Sequence, residues 1–132
     1  MSTTLFGWAI VYVPDVEEAL AFYEKAFGLE RLYVDEHATF GQLDTGPTGL
    51  AFASNDRAER ELGRPFRRGS ADETPSNFEV CLVVDDPVAA YRHAVASGCA
   101  PIAEPEPKPH GQTAGFVRDP FGTLVELASP LG

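Results

Sequence analysis

Two glutamates stand inside apolar, strand-like runs: Glu79 at the head of Glu79-Val-Cys-Leu-Val-Val-Asp-Asp86, and Glu126 within Leu124-Val-Glu-Leu-Ala128. A carboxylate buried in such a run costs several kcal/mol unless it is paired or ligated. Two carboxylates brought together resist joint ionisation, so at least one is expected to have a raised pKa. With water, the same pair suits a hard cation. Trp8, Tyr12, Phe40 and Phe116 also fall in strand-like segments. They read either as ordinary core or as an aromatic wall, and rings with carboxylates nearby suit a planar or cationic ligand. Of the histidines, His93 reads as a solvated helix residue and His37, beside Glu36, as a surface residue near a turn. His110, in Pro109-His-Gly-Gln112, is a candidate ligand contact. Arg118 is expected to pair with an acidic neighbour. Cys81 and Cys99 form no CxxC, and Cys81, inside an apolar run, reads as a buried reduced thiol.

The elements that carry these side chains occur twice, since the chain contains one internal repeat. Trp8-Ala-Ile-Val-Tyr-Val-Pro-Asp15 and Glu79-Val-Cys-Leu-Val-Val-Asp-Asp86 match at an offset of 71, and each ends in an aspartate ahead of a helix-like segment. In the first half Asp15 is the expected N-cap with Glu18 as its capping-box partner. Val16, Ala19, Leu20, Tyr23 and Phe27 form the apolar stripe, and Gly28 ends it. In the second half Asp86 caps, Pro87 takes the first helical position, Val88, Tyr91 and Val95 form the stripe, and Gly98 ends it. Leu50-Ala-Phe-Ala-Ser54 matches Val125-Glu-Leu-Ala-Ser129 at an offset of 75, as Asp44 matches Asp119. Two further strands fit in each half, at about 30–35 and 38–43, then about 100–103 and 112–118, separated by turn signals.

Each half therefore reads β-α-β-β-β. The prolines at 101, 105, 107 and 109 mark the second strand of the later half as an edge with an extended loop. Residues 55–77 form a polar, arginine-bearing linker, expected as a surface arm with a short helical turn at 56–62. Alternation puts Trp8, Ile10 and Tyr12 on one face of the first strand, Glu79, Cys81 and Val83 on the matching face of its counterpart, and Glu126 with Leu124 and Ala128 in the last strand. One helix covers one face of four strands, so the other faces are expected to enclose a pocket. Glu79 and Glu126 are expected to reach it from central strands of opposite modules.

The 132 residues suit a single domain with a real core, and no apolar run reaches membrane-spanning length. The N-terminus lacks the basic region of a secretory signal, so a cytoplasmic location is the expectation. Twenty acidic against ten basic residues, a net charge of −10, argue against nucleic acid and anionic membranes as partners and favour a cationic small ligand.

This order of motifs resembles the vicinal oxygen chelate superfamily, which includes glyoxalases, bleomycin-resistance proteins and extradiol dioxygenases. The resemblance rests on Val13-Pro-Asp-Val16, Ala21-Phe-Tyr23 and Phe27-Gly28 in the first half. In the second it rests on Val83-Val-Asp85, the segment 94–98, and above all Asp119-Pro-Phe-Gly-Thr-Leu-Val-Glu-Leu127. It implies an α+β fold: two βαβββ modules, about 5–54 and 78–130, forming a curved, barrel-like mixed sheet around a cavity, with a homodimer expected. The loop holding His110 would enter the final hairpin at the cavity rim. The resemblance also implies four metal-ligand positions, occupied here by Trp8, Ala51, Glu79 and Glu126. Trp8 and Ala51 cannot ligate through their side chains, and no 2-His-1-carboxylate triad stands at these positions.

The expectation is therefore a metal-free protein that binds a hydrophobic or cationic small molecule, such as an antibiotic. Its ligand contacts are expected among Trp8, Tyr12, Phe40, Glu79, His110, Phe116 and Glu126. The alternative is a metal-dependent lyase, isomerase or dioxygenase with a divalent ion at Glu79 and Glu126.

Overall fold

A computed structural model describes residues 2–131. The chain divides into two compact units, Met1–Arg68 and Gly69–Gly132. The first contains β1 (Trp8–Val13), α1 (Val16–Phe27), β2 (Glu30–Val34), β3 (Phe40–Asp44), β4 (Gly49–Ser54) and α2 (Asn55–Leu62). The second contains β5 (Glu79–Val83), α3 (Pro87–Ser97), β6 (Ala100–Pro107), β7 (Thr113–Arg118) and β8 (Leu124–Ala128). Each unit is thus built on βαβββ, with a four-stranded mixed sheet in the order β1-β4-β3-β2 or β5-β8-β7-β6. The first and last strands of each module run parallel and adjacent; the remaining pairs are antiparallel.

The helix signals act as expected. Asp15 accepts from the Glu18 backbone N–H at 2.9 Å, and Asp86 from Ala89 at 3.1 Å, each satisfying an otherwise orphaned donor of the first turn. Gly28 ends α1 at φ 67°, a left-handed conformation in which a side chain would be strained. Val16, Ala19, Leu20 and Tyr23 are buried as expected, with Ala26 joining them. At Gly41 an added Cβ would lie 2.6 Å from Leu20 Cδ1, so the missing side chain lets α1 approach β3 closely.

The stripe of α3 differs from the expected one. Pro87 and Ala94 are the buried positions, Ala90, Tyr91 and Val95 are half-buried, and Val88 is 40% exposed. The helix is rotated so that its smallest side chains meet the sheet, and Val88 falls outside the three-to-four spacing set by Pro87 and Ala94.

The linker is not a free arm. Its first part is α2, capped by Ser54, whose hydroxyl accepts from Arg57 N–H at 3.2 Å. Arg68 pairs with Asp56 and Glu59 of α2, so the chain folds back along that helix. From Gly69 the linker belongs to the second unit. Arg118 donates to the carbonyls of Ser70 (2.8 Å), Ala71 (3.2 Å) and Gly122 (3.0 Å). The expected acidic partner of Arg118 is replaced by three backbone oxygens, and this contact holds residues 70–71 against the turn that follows β7.

The Asp119-Pro-Phe-Gly turn owes its sequence to a buried acceptor. Asp119 is 2% exposed, and its Oδ1 accepts from the N–H groups of Phe121 (2.9 Å) and Thr123 (2.8 Å). Gly122 completes the turn at φ 101° with the Ser70 backbone packed against it, where a Cβ would lie 2.7 Å from the Ser70 carbonyl oxygen.

Candidate functional site

In the second unit α3 covers the face carrying Val80, Leu82, Val125, Leu127 and Val117. Strand alternation puts Glu79, Cys81, Glu126 and Phe116 on the other. Cys81 is paired with Glu126 across β5 and β8, Glu79 with Leu124, and Phe116 with Glu126 across β7 and β8. Glu79 and Glu126 are therefore diagonal neighbours on one sheet face, and their carboxyl groups share a hydrogen bond. This corrects the expectation of opposite modules. The repeat aligns Glu79 with a first strand and Glu126 with a last strand, and the first and last strands of one module are the pair that bond to each other. Glu79 also lies on β5, a terminal strand of its sheet rather than a central one.

The hydrogen bond that the protonated Glu79 carboxyl donates to Glu126, partial burial and the repulsion between the two charges push the Glu79 carboxyl up from 4.5 to about 7. One ligand atom from each of Glu79, Cys81 and Glu126 lies within 4.8 Å of the others. Cys81 is exposed, not buried as its apolar run suggested: it belongs to the face that α3 leaves uncovered. Partial burial, followed by the charges of Glu126 and Glu79, raises its pKa, so the thiol stays protonated and is a poor nucleophile. Cys99 is buried and pushed up to about 12 by that burial and by Asp119.

In the first unit the face turned away from α1 carries Trp8, Ile10 and Tyr12 on β1, with Gly49, Ala51 and Ala53 beside them on β4 and Gln42 and Phe40 on β3. The Trp8 indole N–H donates to Gln42 Oε1 at 2.9 Å. The indole lies across Gly49, where a Cβ would be 2.8 Å from Trp8 Cδ1. Ala51 is fully buried. The Trp8 indole nitrogen has no lone pair free for a metal, and the Ala51 methyl group has no donor atom. The four-position metal site implied by the resemblance does not fit these residues.

Trp8, Tyr12 and Phe40 share that face, whereas Phe116 lies on the second unit's sheet beside Glu126. His110 is exposed in the β6–β7 turn, with Nε2 2.7 Å from Gln112 Oε1; Gln112 in turn donates to the Ser129 carbonyl at 2.7 Å. Gln112 is four residues from Phe116, about 14 Å along the strand, so the turn sits at the far end of the ladder from the carboxylate pair. His37 and His93 are exposed, as expected.

A pocket of about 290 Å³ opens beneath α2, with Ile10, Tyr12, Phe40 and Ala53 of the sheet on one side and Arg57 and Glu61 of the helix among the residues opposite. Arg57 lies 5.2 Å from the centre of the Phe40 ring, pairs with Glu61 at 2.6 Å, and is 3.7 Å from Asp35. Asp35 accepts from Thr39 Oγ1 and from the Thr39 and Phe40 N–H groups. The Thr39 hydroxyl foremost holds its carboxyl below the usual range. Sequence reasoning placed Arg57 and Glu61 in a linker and missed them. The usable signal was Ser54 three residues ahead of Arg57, an N-cap spacing.

Among the described residues no helix is long and apolar enough to cross a membrane. No curated protein matches the chain. Solved structures do. A glyoxalase-related enzyme from Fulvimarina pelagi superposes with a TM-score of 0.81 at 18% identity, over 97% of this chain and 89% of that one. A glyoxalase/bleomycin resistance protein/dioxygenase family enzyme from Burkholderia phytofirmans PsJN gives 0.77 at 20%, over 97% and 100%. TioX from Micromonospora sp. ML1 gives 0.71 at 21%, over 97% and 100%. At these identities the likeness is one of fold. The family model for the Glyoxalase/Bleomycin resistance protein/Dioxygenase superfamily matches residues 5–127. With the repeated βαβββ architecture and the Asp119 turn leading to Glu126, that match makes the chain a member of this superfamily.

Proposed function

We propose that the chain is a small-molecule-binding member of the superfamily, holding a hydrophobic or cationic ligand such as an antibiotic without a metal ion. The observation that carries this reading is what fills positions 8 and 51: an indole committed to Gln42 and a buried methyl group, on a face otherwise lined by Ile10, Tyr12 and Phe40. Such a surface binds rings and alkyl groups. In the second unit the Glu79–Glu126 pair, with Phe116 beside it, offers negative charge next to an aromatic ring, which suits an organic cation. His110 is proposed as a rim contact only. The chain is further proposed to act in the cytoplasm as a homodimer, because the terminal strands of each four-stranded sheet leave backbone edges that association would cover.

The test is metal analysis of the purified protein, followed by thermal shift in EDTA with tetraphenylphosphonium, a hydrophobic cation. No stoichiometric metal and a raised Tm support the reading. Stoichiometric zinc, nickel, manganese or iron would overturn it.

That outcome would favour a second reading, a metal-dependent lyase, isomerase or dioxygenase with a rearranged site. The observation behind it is the approach of the Glu79, Cys81 and Glu126 donors to within 4.8 Å of one another. Those three residues would hold the ion, and the ion would supply Lewis acidity.

A further inference from the structure

We propose that the pocket beneath α2 is a binding site for a planar aromatic cation, with Glu61 as the group that recognises its charge. This deepens, and rests on, the reading of the chain as a small-molecule binder. The pocket's volume of about 290 Å³ lies at the small end of ligand sites and suits a fused-ring system. Its sheet side presents Tyr12 and Phe40, rings already held in place: Tyr12 packs against Phe66 at 5.0 Å between centroids, and Phe40 against Tyr33 at 6.0 Å. A flat ligand therefore meets surfaces that need little reordering.

The charges decide the sign of the ligand. The lining carries one base and one acid, Arg57 and Glu61, and Asp35, outside the lining, lies 3.7 Å from Arg57, so the guanidinium is already faced by two carboxylates. Of the α2 carboxylates, Asp56 and Glu59 are engaged by Arg68. Glu61 has Arg57 as its partner, and its side chain is 64% exposed. If a ligand cation draws Glu61 away, Arg57 keeps Asp35, its contact with Thr39 Oγ1 and the Phe40 ring. An anionic ligand would instead add a third negative charge around one guanidinium, on a chain of net charge −10. Exchange of a surface i,i+4 ion pair is cheap, so Arg57 acts as an internal occupant that a ligand cation replaces at Glu61.

Isothermal titration calorimetry with three probes sharing one ring system tests this: 9-aminoacridine (cation), acridine at pH 8 (neutral) and acridine-9-carboxylate (anion). The expected order is cation, neutral, anion, with the cation about tenfold ahead of the neutral ring. Glu61→Gln should weaken the cation five- to tenfold and abolish the preference, while Glu104→Gln, at an exposed carboxylate of β6 outside the pocket lining, leaves it unchanged. Equal binding of cation and neutral ring, or an unaffected Glu61→Gln, would overturn the proposal. Binding of 9-aminoacridine that survives Glu61→Gln and is abolished by Glu79→Gln with Glu126→Gln would also overturn it and leave the general binding function standing. If no acridine binds while tetraphenylphosphonium does, this proposal alone falls; if neither binds, both fall.

Discussion

Glu79 and Glu126 are held one pleat apart on neighbouring parallel strands, with Cys81 directly beside Glu126, so that the two carboxyl groups share a hydrogen bond. A hydrogen bond between two carboxyl groups needs a proton, and this is what lifts the Glu79 carboxyl to about 7.

Folding stability should register this proton. The folded pKa of Glu79 lies above the unfolded one, near 4.5, so the native state binds the extra proton. Its contribution is complete below about pH 4.5 and is lost as pH rises through about 7. After solvent screening of an exposed group the effect is on the order of 1 kcal/mol. Urea denaturation at pH 5 and pH 8 should show this loss in the wild type and not in Glu79→Gln. Equal pH dependence in both proteins would contradict it.

Asp119 is expected to be structural. Removing a buried acceptor of two backbone N–H groups leaves both donors unsatisfied, so Asp119→Ala should cost about 2–4 kcal/mol. Both bonds end on Oδ1, so Asp119→Asn can retain them and should cost less than half as much. Chemical denaturation of the two variants measures the difference, and equal losses would contradict this assignment.

Association should be visible directly. Light scattering at micromolar concentration is expected to give twice the 14.2 kDa chain mass; the monomer mass would refute the proposed dimer.

Much of this architecture can be read from the sequence because its signals are local. Asp15, Asp86, Gly28 and Gly98 mark helix ends by their own backbone chemistry, and the offset between the halves reveals the module. The site is less legible because it depends on pairing between distant segments. Alternation shows that Glu79 and Cys81 share a face, but only the β5–β8 register shows that Glu126 joins them. Cys81 looked buried because an apolar run does not reveal which face the helix covers. Arg57 and Glu61 read as linker because α2 has only eight residues, most of them polar, and buries only Asn55 and Ala58.

The most direct test of metal-free cation binding is calorimetric titration of tetraphenylphosphonium into EDTA-treated protein at pH 8, alongside the Glu79→Gln and Glu126→Gln double variant. Saturable binding to the wild type without metal, weakened at least fivefold in the variant, is expected. Binding that appears only after a divalent metal is restored, or no binding under either condition, would contradict it.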